Sequence, residues 1–274
     1  MDRKESINEI FERISPKRDF YDDRHMNLLL NGIAGFMPAT DGTDNAMLIS
    51  NIAYIFAQSG FNTCVVDLKV FYPNLYNYLD VAPNKKSRGL LNVLKSDKID
   101  IRNEINLTKY EKIYLLSPSP QDLMEEYFDF ELSDVKSLLT RLKSIFDVVL
   151  VDIPNIPPLE FCIGAIENCS IGFFTASERL DAVNNMIRAL DFASTLGVST
   201  AKFANVIFMN VQHGEYDFSV VKNMKFNIVA QLPAIKATIT DSYEGKLYIR
   251  DNTLVNKNFS DQLESIVQLI VSQG

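Results

Sequence analysis

Seven apolar runs divide the chain: NLLLNGIAGFM (27–37), NTCVVDL (62–68), KIYLLSPS (112–119), FDVVLVDIP (146–154), SIGFFTA (170–176), FANVIFMNV (203–211) and FNIVAQLP (226–233). Their apolar residues are consecutive rather than alternating with polar ones. A strand reads this way when both of its faces are buried, and such strands belong to parallel sheets covered by helices. Helical patterns lie between the runs. AMLISNIAYIFAQSG (46–60) is closed by Gly60, and FYPNLYNYLDV (71–81) opens on a turn before a short helix. SRGLLNVLKS (87–96) follows, then LSDVKSLLTRLKSIF (132–146), where Val135, Leu138, Leu139 and Leu142 recur at spacings of three and four. DAVNNMIRALDFASTLG (181–197) is capped by Gly197, and SDQLESIVQLIVSQ (260–273) is the last helix. This alternation predicts an α/β fold: a doubly wound, mostly parallel sheet with helices on both faces. Residues 1–25 read as a charged extension, with INEIFERI as a short helix before Pro16, and residues 26–274 as one domain.

A sheet covered on both sides needs a large core, and 47% hydrophobic residues in 274 supply it. The net charge of −8 argues against nucleic acid as a partner, because phosphate backbones select clustered Lys and Arg. Cys64 lies in an apolar run and reads as core; Cys162 and Cys169 fit no zinc spacing, and the two histidines are His25 and His213. An odd cysteine count and a charged N-terminus without an apolar h-region fit a reducing cytoplasm. No stretch reaches the ~18 apolar residues of a membrane span, so direct membrane insertion is not expected. The final helix has an apolar stripe (Leu263, Ile266, Val267, Ile270) without flanking Lys or Arg, and is expected to pack on the sheet rather than on lipid. Phe71, Tyr72, Tyr76 and Tyr78 form an aromatic cluster suited to core packing or to a partner surface, and MEEYFDFE is an acidic-aromatic stretch of the same kind. His213 reads as solvated.

Ligands of such sheets bind beyond the carboxyl ends of the strands. The turn after the first run, Thr40-Asp41-Gly42-Thr43-Asp44-Asn45-Ala46, sits where a phosphate loop would connect strand to helix. A phosphate loop uses glycines for close backbone approach, a lysine for the β and γ oxygens, and a hydroxyl for Mg²⁺. Here Gly42 is the one glycine, Asn45 stands where the lysine is expected, and Ala46 where the hydroxyl is expected. Asp41 and Asp44 add negative charge. At ~5 Å and an effective dielectric of about 20, each like-charge pair costs roughly 3 kcal/mol, and a helix dipole offsets about 1 kcal/mol of that. The turn could instead be only a cap, with Asp44 holding the first amides of the following helix. Two more acids end strands: Asp67 in VVDLK, and Asp152 in VVLVDIP, the latter like a Walker B carboxylate that orients Mg²⁺.

Taken together, these segments resemble the MinD/ParA family of deviant Walker ATPases over residues 26–272. The family pattern KGGVGKTTLAANLAYALA aligns with TDGTDNAMLISNIAYIFA (40–57), with Asn51 in register. Thr40 replaces the signature lysine, Asn45 the Walker lysine and Ala46 the Mg²⁺-binding threonine. The family's D-x-D becomes Asp67-Leu68-Lys69, so that the second acid is Lys69; Asp152 matches the Walker B acid. Asn210 of FMNV matches the family's adenine-side Asn, and LPAIKATITDSYEGKLYIRD is similar to its segment near the base. Within the family, DLKVFYPNLYNYLDVAP, YLLSPSPQDLMEEY and FDVVLVDIPNIPP look most like the CpaE/TadZ branch of Flp/Tad pilus assembly.

The resemblance implies a P-loop NTPase fold of the SIMIBI class with an altered site. Hydrolysis is not expected; any activity would be on ATP. No resident cofactor is expected, and ATP with Mg²⁺, held through Asp152, would bind only if the atypical loop still accepts it. Lys69 is expected to pair internally with Asp67, Asp41 or Asp44, or else to replace a missing phosphate-binding cation. The implied role is a non-catalytic localisation or scaffold protein for an envelope machine such as the pilus, with a nucleotide switch and a partitioning protein as alternatives. Implied partners are proteins: a second copy, an active paralogue, or secretion and pilus components. The implied location is cytoplasmic, or peripheral at a membrane-associated or polar complex.

Overall fold

The computed structural model describes residues 32–40, 43–82, 89–212 and 216–273. The helix expected at INEIFERI, and Asp41, Gly42 and His213, lie outside the described residues. β1 (Gly32–Pro38) leads into α1 (Asn45–Gln58), and β2 (Thr63–Asp67) into α2 (Leu75–Leu79) and α3 (Leu90–Lys95). β3 (Asn106–Leu107), β4 (Ile113–Leu116) and a 3₁₀ segment (Met124–Asp129) precede α4 (Leu132–Lys143). Then come β5 (Val148–Asp152), α5 (Leu159–Asn168), β6 (Ile171–Ala176), α6 (Ala182–Thr195), β7 (Asn205–Val211), α7 (Ser219–Asn223), β8 (Asn227–Pro233), α8 (Ala237–Tyr243), α9 (Tyr248–Asp251) and α10 (Lys257–Gln273).

The strands form one sheet in the order β3-β4-β2-β5-β1-β6-β7-β8. All neighbours run parallel except β3 and β4. The chain starts in the middle, builds outward through β2 and β4, returns to insert β5 beside β1, and then builds the other way. The chain reverses direction at β1, and sheets of this kind take ligands in the crevice at the carboxyl ends of the strands beside such a switch, here β5, β1 and β6.

Side chains alternate across the sheet with the period of two that pleating dictates. Ile33 and Met37 of β1 join one core, with α4, α5 and α6; Ala34 and Phe36 join the other, with α1 and α10. Phe36 stacks on Phe173 of β6, with ring centroids 5.1 Å apart and planes 13° from parallel. The apolar stripe of α4 (Val135, Leu138, Leu139, Leu142) is buried as its spacing predicts, and so are Leu263, Ile266, Val267 and Ile270 of α10, which packs on β8. Cys64, Cys162 and Cys169 are buried. No described helix is long and apolar enough to cross a membrane.

The sequence reading did not name β3, α5, the short helices α7, α8 and α9, or the 3₁₀ segments. β3 is a two-residue antiparallel edge strand, giving an eighth strand where seven apolar runs were read. α5 follows three prolines, Pro154, Pro157 and Pro158, which conceal its start. Gly164 lets α5 lie against α4, since a Cβ there would sit 2.7 Å from the Cβ of Val135.

Gly172 in β6 makes the tightest such approach, because a Cβ would fall 2.3 Å from Cδ2 of the fully buried Phe203. Gly172→Ala is expected to lower unfolding stability by about 1–3 kcal/mol, the usual cost of overpacking. Urea melts of the two proteins check this, and an unchanged midpoint would show that the Phe203 ring can move aside.

Candidate functional site

β2 and β5 are neighbours, and their register places Asp67 directly beside Asp152. Both carboxylates are fully buried. Burying a charged carboxylate costs several kcal/mol unless partners replace the lost water, and the loops around the pair supply those partners.

Asp67 is held by backbone. Its Oδ1 accepts from the Lys69 amide at 3.0 Å, and its Oδ2 from the amides of Asn74 (3.1 Å) and Leu75 (3.3 Å), at the start of α2. Asp152 is held by side chains. The Asn45 amide donates to its Oδ1 at 3.2 Å, and the Lys69 ammonium lies 2.9 Å from its Oδ2. That approach is off the hydrogen-bonding direction, so the Lys69 contact is chiefly charge on charge. The lysine therefore pairs with the acid on the neighbouring strand, not with Asp67 or Asp44 as expected from sequence. Asp67 is nearer in the chain, but its oxygens are already committed to amides.

Burial pushes the Asp67 carboxyl up to about 7, with Asp152 adding to the rise and Lys69 opposing it. Burial also raises Asp152, despite the opposing pull of Lys69 and Asn45. For Lys69, burial favours the neutral amine, but Asp152, Asp67 and Asp44 together outweigh it and hold the proton on. Two buried acids thus share one cation.

The turn after β1 is closed by its own side chains. Asn45, 1% exposed, points beneath the turn rather than out of it. Besides reaching Asp152, its amide donates to the Phe36 carbonyl at 3.2 Å, and its carbonyl accepts from the Thr175 hydroxyl of β6. Ala46 is fully buried. Asp44 caps α1, its Oδ1 accepting from the Met47 amide at 3.0 Å. Its second oxygen accepts from the Tyr78 hydroxyl of α2. Thr40 is buried; its hydroxyl accepts from the Ser177 amide at 2.8 Å and lies 2.9 Å from the Ser177 hydroxyl. Thr43 donates to the Thr40 carbonyl at 3.2 Å. The structure thus brings Thr40, Asp44, Asn45, Asp67, Lys69 and Asp152 together. Asn210 is exposed near the end of β7 with φ +58°, a conformation that Asn tolerates better than most residues.

Thr175 and Ser177 were missed as individual residues. Both stand at the end of the SIGFFTA strand, where ligand-facing groups are expected. Tyr78 was noted only as one member of an aromatic cluster.

No model of a known protein family matches the sequence, and no curated protein is similar to it. Solved structures do match. A ParA family ATPase from Chlorobium tepidum superposes with a TM-score of 0.71 at 16% identity, over 86% of this chain and 98% of that one. MinD from Pyrococcus horikoshii, complexed with Mg-ADP, gives 0.69 at 15%, over 86% and 94%. A variant of Cyanothece McdA in complex with ATP gives 0.71 at 16%, over 89% and 97%.

Two measurements test the buried charges. Lys69→Met leaves Asp152 without its cation and is expected to cost about 3 kcal/mol of stability, with much of that recovered in Lys69→Met/Asp152→Asn. A double variant as unstable as the single one would mean that Lys69 acts through its stem alone. Asp67 carries the sign of its pH dependence in its raised carboxyl. Between the unfolded value of about 4 and the folded value of about 7, the folded state keeps a proton that the unfolded chain has released. The stability contributed by this group is therefore full below pH 4 and declines as pH rises through that window. Asp67→Asn, which cannot ionise, is expected to gain on the wild type across it; a pH-independent difference in melting midpoint would contradict this. By its likeness to these solved structures, the chain has the fold of the MinD/ParA ATPases.

Proposed function

We propose that this chain is a nucleotide-independent member of the MinD/ParA-like group, a localisation or scaffold protein that acts through protein contacts. The observation that carries the reading is the closure of Asp152 by Lys69 and Asn45. Mg²⁺ at such a carboxylate would have to displace an ammonium already 2.9 Å away. The anion-seeking amides at the start of α1 are met by the chain's own Asp44. With Asp44, Asp67 and Asp152 around Lys69, the described residues of the crevice offer a triphosphate more repulsion than attraction. The described residues of the site do not fit Mg-ATP.

The machine served is proposed from the resemblance of residues 67–83, 114–127 and 146–158 to the CpaE/TadZ branch, which points to envelope assembly of the Flp/Tad kind. The partners would be a second copy, an active paralogue or components of the machine. Charge disfavours the partitioning alternative, since −8 offers DNA little. One observation favours a second reading, an atypical nucleotide switch: the acids Asp67 and Asp152 stand side by side at strand ends in a fold whose neighbours include proteins solved with Mg-ADP and with ATP. In that reading Lys69 leaves Asp152 when nucleotide arrives.

Thermal melts separate the two. A ligand that binds the folded state raises stability by RT ln(1 + [L]/Kd), about 2.7 kcal/mol at a hundredfold excess over Kd. ATP or ADP at millimolar concentration, with or without Mg²⁺, is expected to leave the midpoint unchanged; a rise of several degrees would establish the switch. Asn45→Lys/Ala46→Thr is expected to gain no nucleotide affinity, because Asp44 and the Lys69–Asp152 pair remain, and isothermal titration reads this directly.

A further inference from the structure

The segments leaving β2 and β4, neighbours in the sheet, meet outside the carboxylate cluster and form a surface there, which gives a place to the protein contacts of the proposed function. Phe71 is half-buried against the core and serves as an anchor. Its ring lies 6.5 Å from that of Tyr72 and 6.0 Å, edge to face, from that of Phe128 in the 3₁₀ segment. Tyr72 is 74% exposed and Phe128 52%. Leu123 and Met124, in and beside the same segment, are also exposed. Isolated exposed apolar side chains need no explanation, but a contiguous row of them does. Around this row the sequence Asp122–Asp129 holds four acids, Asp122, Glu125, Glu126 and Asp129. Lys95 pairs with Glu126 at 2.6 Å. Glu125 and Asp129 are exposed and make no salt bridge among the described residues.

We infer that this strip is a docking surface for a basic amphipathic helix of a partner protein. Two features select that occupant. The aromatic row is set on a buried base, the arrangement in which interface aromatics contribute most. The acidic rim complements Lys and Arg on the flanks of such a helix and repels an anionic lipid surface. The inference is independent of whether the crevice binds nucleotide, because among the described residues Tyr72, Phe128, Glu125 and Asp129 make no hydrogen bond or ion pair with Asp67, Asp152 or Asp44.

The test is fluorescence anisotropy of the full chain with a fluorescein-labelled 18-residue peptide at about 150 mM salt, where non-specific attraction is screened. The peptide carries Leu and Phe one turn apart on one face and Lys and Arg on the other; its control has Glu in place of the basic residues. Saturable binding of the basic peptide is expected. It should weaken about tenfold or more, the effect of losing an aromatic anchor, both in Tyr72→Ser/Phe128→Ser and in Glu125→Lys/Asp129→Lys. Phe192→Ala, at an exposed apolar position on α6, should not change it. The inference is overturned by any of four results: no saturable binding, equal binding of the acidic control, binding indifferent to Tyr72→Ser/Phe128→Ser, or sedimentation showing that these two residues instead join a second copy.

Discussion

Two carboxylates stand side by side at the ends of β2 and β5, buried, with one lysine between them. Parallel register places them there, and the shape of the surrounding loops follows from what it takes to keep them there. The segment after β2 must curl back so that the amides of Lys69, Asn74 and Leu75 reach Asp67, and the same curl delivers the Lys69 ammonium to Asp152. The turn after β1 must tuck Asn45 inward to reach the other oxygen of Asp152. Removing any one of these contacts would leave a buried polar group without a partner, so the contacts act as a set.

α1 gathers the rest of the face. At its start Asp44 is shared between the helix and the Tyr78 hydroxyl, which brings α2 alongside. Two turns further on, Asn51 donates to the Met47 carbonyl at 2.8 Å and accepts from the Ile249 amide at 3.0 Å, joining the helix to α9. The Tyr110 hydroxyl, donating to the Gly245 carbonyl at 2.8 Å, fastens the residues after α8 to the loop before β4. The segments after β2 and β8, which arrive from opposite halves of the sheet, are thereby tied to one helix.

Much of this was legible in the sequence, and the failures have physical causes. Unbroken apolar runs announced seven parallel strands because burial on both faces leaves no polar positions. β3 carried no such run: two edge residues are paired by the tight turn at Thr108–Tyr110 and not by hydrophobic burial. α5 was hidden because its prolines look like loop, although one of them stands at the helix cap. Asp67 and Asp152 could be read as strand-end acids, and Asp44 as a cap, since both are local patterns. The partner of Lys69 could not, because it depends on which strand lies next to β2, and β5 is inserted there out of chain order. Nor could the roles of Thr175 and Tyr78, which depend on elements far apart in sequence.

The inward tuck of Asn45 also bears on how such a turn can change over generations. Its amide group is committed to Phe36, Asp152 and Thr175 at once. A lysine at this position would take the Asn45 carbonyl away from the Thr175 hydroxyl, leaving it the Met37 carbonyl at 3.5 Å, and would bring a second ammonium towards Lys69. One small side chain thus couples three strands, so that a change at this position calls for changes at its neighbours.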